Sequence, residues 1–169
     1  MNLPYSKEII KHFKNPKNMG RIKNASGIGE AGNLICGDVM RLYLKVGENK
    51  KGEKIIKDIK FETFGCIVAI SNSSMLTTMV KSKTLEEALR TTKDSLIKKL
   101  GKPLPPIKLH CSILAVDALH EAIYDYYLKN KLPIPEKLKE EHERIQKSMK
   151  IIEERHKDFV EMEERILKE

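Results

Sequence analysis

The sequence holds three cysteines, two of them with a second ligand-type side chain close by: Cys36-Gly37-Asp38 and His110-Cys111, with Cys66 following Gly65. A free cysteine is often no more than a small buried hydrophobe. Three cysteines at element boundaries, two of them flanked in this way, point instead to a shared site. Their thiolates, joined by the Asp38 carboxylate or the His110 imidazole, make a four-ligand set for tetrahedral zinc or for an iron–sulfur cluster. Either side chain can take the fourth place, and each also has a bland role: Asp38 as a turn residue, His110 as a core histidine. The spacings match neither ferredoxin cysteine pattern. A cysteine protease needs one nucleophile with a separate base, and three thiols are surplus to it.

These residues have to be positioned by the elements around them. Residues 20–37 contain five of the nine glycines and read as a mobile loop ending at Cys36. In extended backbone, Cys36 and Asp38 would point the same way. Met40, Leu42, Leu44 and Val46 alternate with polar residues, and Ile55, Ile59 and Phe61 form a second alternating run, which predicts an antiparallel pair. Cys66 then stands at the start of a helix predicted over residues 66–80, and Cys111 just before one over residues 112–128. Helix N-termini lower a thiol's pKa, so both thiols are expected to be low. A first helix covers residues 5–13 and stops at Asn15-Pro16. Thr84 and Glu87 have capping-box spacing, opening a helix that runs to Gly101.

After Leu132-Pro133-Ile134-Pro135 the pattern changes. Leu138, Ile145, Ile152, Phe159 and Ile166 recur every seven residues. The row offset by four is His142, Met149, His156 and Glu163, too polar for a coiled coil. A single long amphipathic helix is expected, docking on the body or on a neighbouring subunit. His142 and His156 lie about 21 Å apart along such a helix, too far to share a metal. The chain therefore divides into residues 1–130 and an extension over 131–169.

With 169 residues, 40% of them hydrophobic, the chain can bury a core and is not of disordered composition. It has no apolar run near the roughly 20 residues that span a bilayer. Lys7, Glu8, Lys11 and His12 leave no signal-peptide core at the start. Three cysteines cannot all pair, so a reducing, cytoplasmic setting is expected. Residues 1–130 carry 22 basic and 13 acidic side chains, and residues 131–169 carry 10 and 11. A basic body attracts nucleic acid. With 5% aromatics and no Trp, however, base-stacking platforms are scarce, and a lysine-rich solvated surface is the preferred reading.

Three segments carry a specific resemblance: Ala31-Gly32 through Cys36-Gly37-Asp38-Val39-Met40, Thr63-Phe64-Gly65-Cys66, and Leu104-Pro105-Pro106-Ile107-Lys108-Leu109-His110-Cys111-Ser112-Ile113-Leu114-Ala115. In order and interval they resemble the IscU/NifU-type iron–sulfur cluster assembly scaffolds, and Tyr5-Ser6 and Asn15-Pro16 agree in place. The resemblance covers about residues 4–128. It implies an α+β fold, a small antiparallel sheet of about three strands packed against helices, to which the C-terminal amphipathic helix is added. It implies a scaffold rather than a turnover enzyme. Such a protein assembles a transient [2Fe–2S] cluster from iron, sulfide and electrons and passes it to apo iron–sulfur acceptor proteins.

By position, Cys36, Cys66 and Cys111 resemble the cysteine ligands, with Asp38 and His110 contending for the remaining place. Cys111 resembles the thiol that accepts persulfide sulfur from a cysteine desulfurase, a role free sulfide could bypass. A ferredoxin-type electron donor is implied, and so is an Hsp70-type chaperone reading Leu104, Pro105, Pro106, Ile107 and Lys108. Zinc suits the same ligand set, and homo-oligomers fit the docking face of the tail.

The chain departs from the family in two places. Ile67-Val68-Ala69 replaces the usual Gly-Ser-Ala after Cys66, and residues 131–169 have no counterpart in the short scaffolds. Longer NifU-type chains carry cysteine-containing domains in that place, and this tail has no cysteine. The alternative is a zinc-dependent sulfur acceptor of a related branch, a sulfurtransferase partner. Those relatives carry an insertion between the second and third ligand regions and lack the histidine. Here only 44 residues separate Cys66 from Cys111, and His110 is present.

Overall fold

A computed structural model describes residues 5–34, 36–101, 104 and 108–166, with side chains described up to residue 157. Helix α1 (Lys7–Lys14) starts where the Ser6 hydroxyl accepts the Ile9 amide at 3.1 Å, and ends at Asn15 ahead of Pro16. Three antiparallel strands follow in the order β1 (Gly27–Gly32), β2 (Val39–Glu48), β3 (Lys54–Phe64). Leu42 faces Phe61 and Leu44 faces Ile59 across β2 and β3. A register shift at Lys45/Val46 breaks the simple alternation, so Ile56 rather than Ile55 joins Ile59 and Phe61 in the core.

Strand β1 corrects the expectation of a loop over residues 20–37. Its glycines serve close approach rather than mobility. The long helix α5 (His110–Lys129) lies across this strand. A Cβ built on Gly29 would stand 2.2 Å from both the Ala118 carbonyl oxygen and the Ala122 nitrogen, and one on Gly27 would stand 2.2 Å from the Ala122 carbonyl oxygen. Glycine inside a strand marks such backbone proximity.

Helix α2 (Ile67–Val80) is buried nearly all round despite its hydroxyls. Ser71 and Ser73 donate to the carbonyls of Ile67 and Ala69 at 2.8 and 2.7 Å, and Ser71 also reaches the Ile9 carbonyl of α1 at 2.8 Å. His12 Nδ1 lies 2.7 Å from the Ser74 hydroxyl. These hydroxyls are thus satisfied within the core, as burial requires.

Where one helix was expected from Thr84 to Gly101, the chain forms two, α3 (Leu85–Leu89) and α4 (Lys93–Leu100). The Thr84–Glu87 capping box is present, at 3.1 and 2.9 Å. A second box, Thr92 with Ser95, restarts the chain, because its extended Thr92 accepts the Ser95 amide at 3.2 Å.

The tail forms α6 (Glu136–Ile166), which docks on the chain's own α5 and β1. Leu138, Ile145 and Ile152 are buried, and so is Met149 of the offset row. His142 stacks on Tyr124 with ring centroids 3.8 Å apart, its Nδ1 2.9 Å from both Glu121 carboxylate oxygens. Arg144 pairs with Asp117 through two bonds of 2.7 and 3.1 Å. The side chains of Phe159 and Ile166 lie outside the described residues. Among those described, no helix is long and apolar enough to cross a membrane.

Gly29→Ala forces α5 off β1, because the obstructing atoms are backbone, and it should cost roughly 2–3 kcal/mol. Gly47→Ala meets only the movable Lys57 stem, nearest atom 2.5 Å away, and should cost less than about 1 kcal/mol. Urea-denaturation midpoints of the two variants check the difference.

Candidate metal centre

The connection from β1 to β2 is a tight, hydrogen-bonded turn. The Asn33 amide donates to the Asp38 carbonyl and the Gly37 amide to the Asn33 carbonyl, both at 2.9 Å, and the Cys36 amide donates to Asn33 Oδ1 at 3.3 Å. Gly37 has φ +71°, a left-handed step that a side chain would strain. Cys36-Gly37-Asp38 is therefore not extended, contrary to the expectation from its spacing.

Cys66 is the N-cap of α2, and its amide donates to Asp38 Oδ2 at 3.3 Å. Cys111, in the first turn of α5, is fully buried. Its sulfur lies 3.7 Å from Cys66 Sγ and 3.9 Å from Asp38 Oδ2. Two thiolates on one tetrahedral metal at about 2.3 Å stand about 3.8 Å apart, close to the separation of Cys66 and Cys111.

All five candidate residues come together, as two triads that share Cys111. Cys36, His110 and Cys111 offer ligand atoms within 4.8 Å of one another, and so do Asp38, Cys66 and Cys111. His110 Nε2 is buried without a hydrogen-bond partner among the described residues. An unpaired buried ring nitrogen is costly, and a metal would satisfy it. Val68, which stands where a small polar residue was expected after Cys66, is fully buried in the core.

The three thiols do not titrate alike. Cys66 is lowered to about 6, chiefly by the Cys111 thiol hydrogen-bonded to it, against burial, and with help from the Ala69 and Val68 amides of α2. Cys111 is pushed well up, first by that same hydrogen bond and then by burial. Burial also raises Cys36. The expectation of a low Cys111 therefore fails. The helix dipole acts on both residues, but two anionic sulfurs 3.7 Å apart cannot both stay charged without a cation between them. One proton is shared, and Cys66 is the thiolate.

Lys108, which the resemblance assigned only to a segment read by a chaperone, carries an ammonium held charged chiefly by the Cys66 thiolate. Pro105, Pro106 and Ile107 of that segment lie outside the described residues. A groove of about 630 Å³ lined in part by Met19, Arg41, Glu62, Phe64 and His156 runs along the sheet, and none of the five candidate ligands lines it. The donors sit instead where the β1–β2 turn and the starts of α2 and α5 converge.

The family model of the NifU-like N-terminal domain matches residues 4–133. Iron-sulfur cluster assembly scaffold protein IscU 1 of Archaeoglobus fulgidus is 52% identical over 126 residues, which are 75% of this chain and 78% of that protein. The IscU scaffold of Aquifex aeolicus is 43% identical over 129 residues, 76% of this chain and 80% of its own. The fold is similar to the N-terminal part of a NifU-like protein from Brucella abortus, with a TM-score of 0.59 at 19% identity, over 75% of this chain and 96% of that one.

Iodoacetamide reacts with the thiolate form. In metal-free protein Cys66 should be alkylated first, its rate rising with pH through about 6, while Cys111 stays unmodified. Peptide mass mapping after timed quenching between pH 5 and pH 8 checks this order. Equal rates at Cys66 and Cys111 would contradict the shared proton.

Proposed function

Because the chain belongs to the family of NifU-like N-terminal domains, we propose that it is a scaffold on which a [2Fe–2S] cluster is built and from which it is handed to apo iron–sulfur proteins. The supporting observation is the pair of triads meeting at Cys111. A [2Fe–2S] cluster takes four terminal ligands, and five donors surround this site. One donor is surplus, so a ligand can leave without stripping the iron. A carboxylate is also the weakest match to iron among these donors, which makes Asp38 the exchangeable corner beside Cys36.

Residues 1–130 handle the cargo in this scheme, and 131–169 is an extension. Iron first meets the Cys66 thiolate. With iron on Cys66, 3.7 Å away, Cys111 loses its proton, and the freed thiolate attacks the outer sulfur of a cysteine desulfurase persulfide, breaking that S–S bond and releasing the desulfurase cysteine as a thiolate. That sulfur needs two electrons to become sulfide, the part of a ferredoxin-type donor. Free sulfide needs none. Lys108 offsets the negative charge of the gathered thiolates. Zinc suits the same donors when iron is scarce. The reduced thiols suit a cytoplasmic setting.

Reconstitution without oxygen should give about two iron and two sulfide per chain, in keeping with the cluster type. Cys36→Ser, Cys66→Ser and Cys111→Ser should each fail to hold a stable cluster. Asp38→Ala should load normally and release more slowly, read as timed transfer to an apo-ferredoxin. A variant that loads normally yet transfers as fast as the parent would overturn the exchangeable corner.

A further inference from the structure

The C-terminal helix reaches the ligand turn. Arg155 of α6 donates from Nη1 to the Leu34 carbonyl at 3.0 Å, two residues before Cys36. About one and two helical turns back, Ile152 and Met149 lie over Gly32, the last residue of β1. A Cβ built there would stand 2.4 Å from Ile152 Cδ1 and 2.9 Å from Met149 Sδ. Both side chains are buried, at 4% and 8% exposure. The inner part of α6 is anchored independently by Leu138 and Ile145 in the core and by the Arg144–Asp117 pair.

We propose that α6 is a positioning element for Cys36, with Ile152 and Met149 seating the end of β1 and Arg155 holding the Leu34 carbonyl. The strand end and the backbone leading to Cys36 are thereby tied to a helix whose docking is set elsewhere. The other two cysteines need no such tie, since each belongs to the start of a helix packed in the core. Of the three thiols, only Cys36 hangs on a turn. The tail thus sets how readily Cys36 gives way, and, if the site holds a cluster as proposed above, how long that cluster stays.

The test separates the two ideas by reading thiols first and cargo second. In the full-length metal-free chain, Arg155→Ala and Ile152→Ala should raise the alkylation rate of Cys36 by roughly fivefold, the ratio set by about 1 kcal/mol of lost hydrogen bonding or packing. The rate at Cys66 should not change, whereas general loosening would raise both. Arg155→Lys, which keeps a donor, should recover most of the parent rate. In reconstituted protein the same variants should transfer cluster to apo-ferredoxin faster than the parent. An unchanged Cys36-to-Cys66 rate ratio in both alanine variants would overturn the positioning role, whatever the cargo. A normal shift in that ratio, with a parent chain unable to accept iron and sulfide, would instead overturn the scaffold reading and leave the helix contact standing.

Discussion

The architecture turns on the contact of α5 with β1 at backbone distance. Gly27 and Gly29 present no side chain to the helix, so carbonyl and amide groups of residues 118–122 rest directly on the strand. A helix seated that closely on an edge strand has little freedom to slide. Its N-terminus, with His110 and Cys111, is delivered to the end of the sheet where β1 turns into β2. There it meets Cys36 and Asp38 from the turn and Cys66 from the cap of α2. The five donors come from three separate chain segments, yet the gathering requires no long loop.

Gathering the thiols creates an electrostatic problem that the site is built to use. Three sulfurs and a carboxylate within a few ångströms cannot all be anionic without a cation. In the metal-free state one proton stays on Cys111, the Cys66 thiolate accepts a hydrogen bond from it, and Lys108 stands near. Under the proposed function, cationic iron would remove that restraint and draw the proton off. The crowding that makes the bare site uncomfortable would make it receptive to a cation, and the spare fifth donor would let the cargo leave again.

The extension is part of the same body. Leu138, Ile145 and Met149 belong to the core that also contains Leu119 and Ala122 of α5. Its side chains meet Glu121, Tyr124 and Asp117 of α5, and Arg155 meets the Leu34 carbonyl after β1. Ile152 and Met149 cover Gly32 at the end of β1, whose backbone would otherwise face water.

Much of this was legible without coordinates, for local reasons. Ser6, Thr84 and Asn15-Pro16 mark helix ends because caps and proline act within a few residues. Met40, Leu42 and Leu44 alternate because one face of β2 is buried, and the seven-residue row of the tail identifies its docking face. Cys36, Asp38, Cys66, His110 and Cys111 stood out as candidate ligands from type and context alone. Other features depend on what lies across the fold. The glycines of β1 read as a loop because their reason is the α5 backbone, some 90 residues on in the sequence. Ile56 displaces Ile55 through a bulge in their own strand, where Lys57 is left unpaired opposite the Lys45/Val46 step, and Thr92 restarts a helix whose apolar face continues past it. The division of charge between Cys66 and Cys111 exists only once their sulfurs stand 3.7 Å apart. Likewise Arg155 gains its place beside Leu34 only when the tail lies down on the sheet. The sequence by itself determined which groups could bind a metal and which segments could be helix or strand, since those are properties of residue type and near neighbours. Tertiary structure alone decided which groups share a proton, which glycines are contacts and what holds Cys36, since these depend on distances between segments remote in the chain.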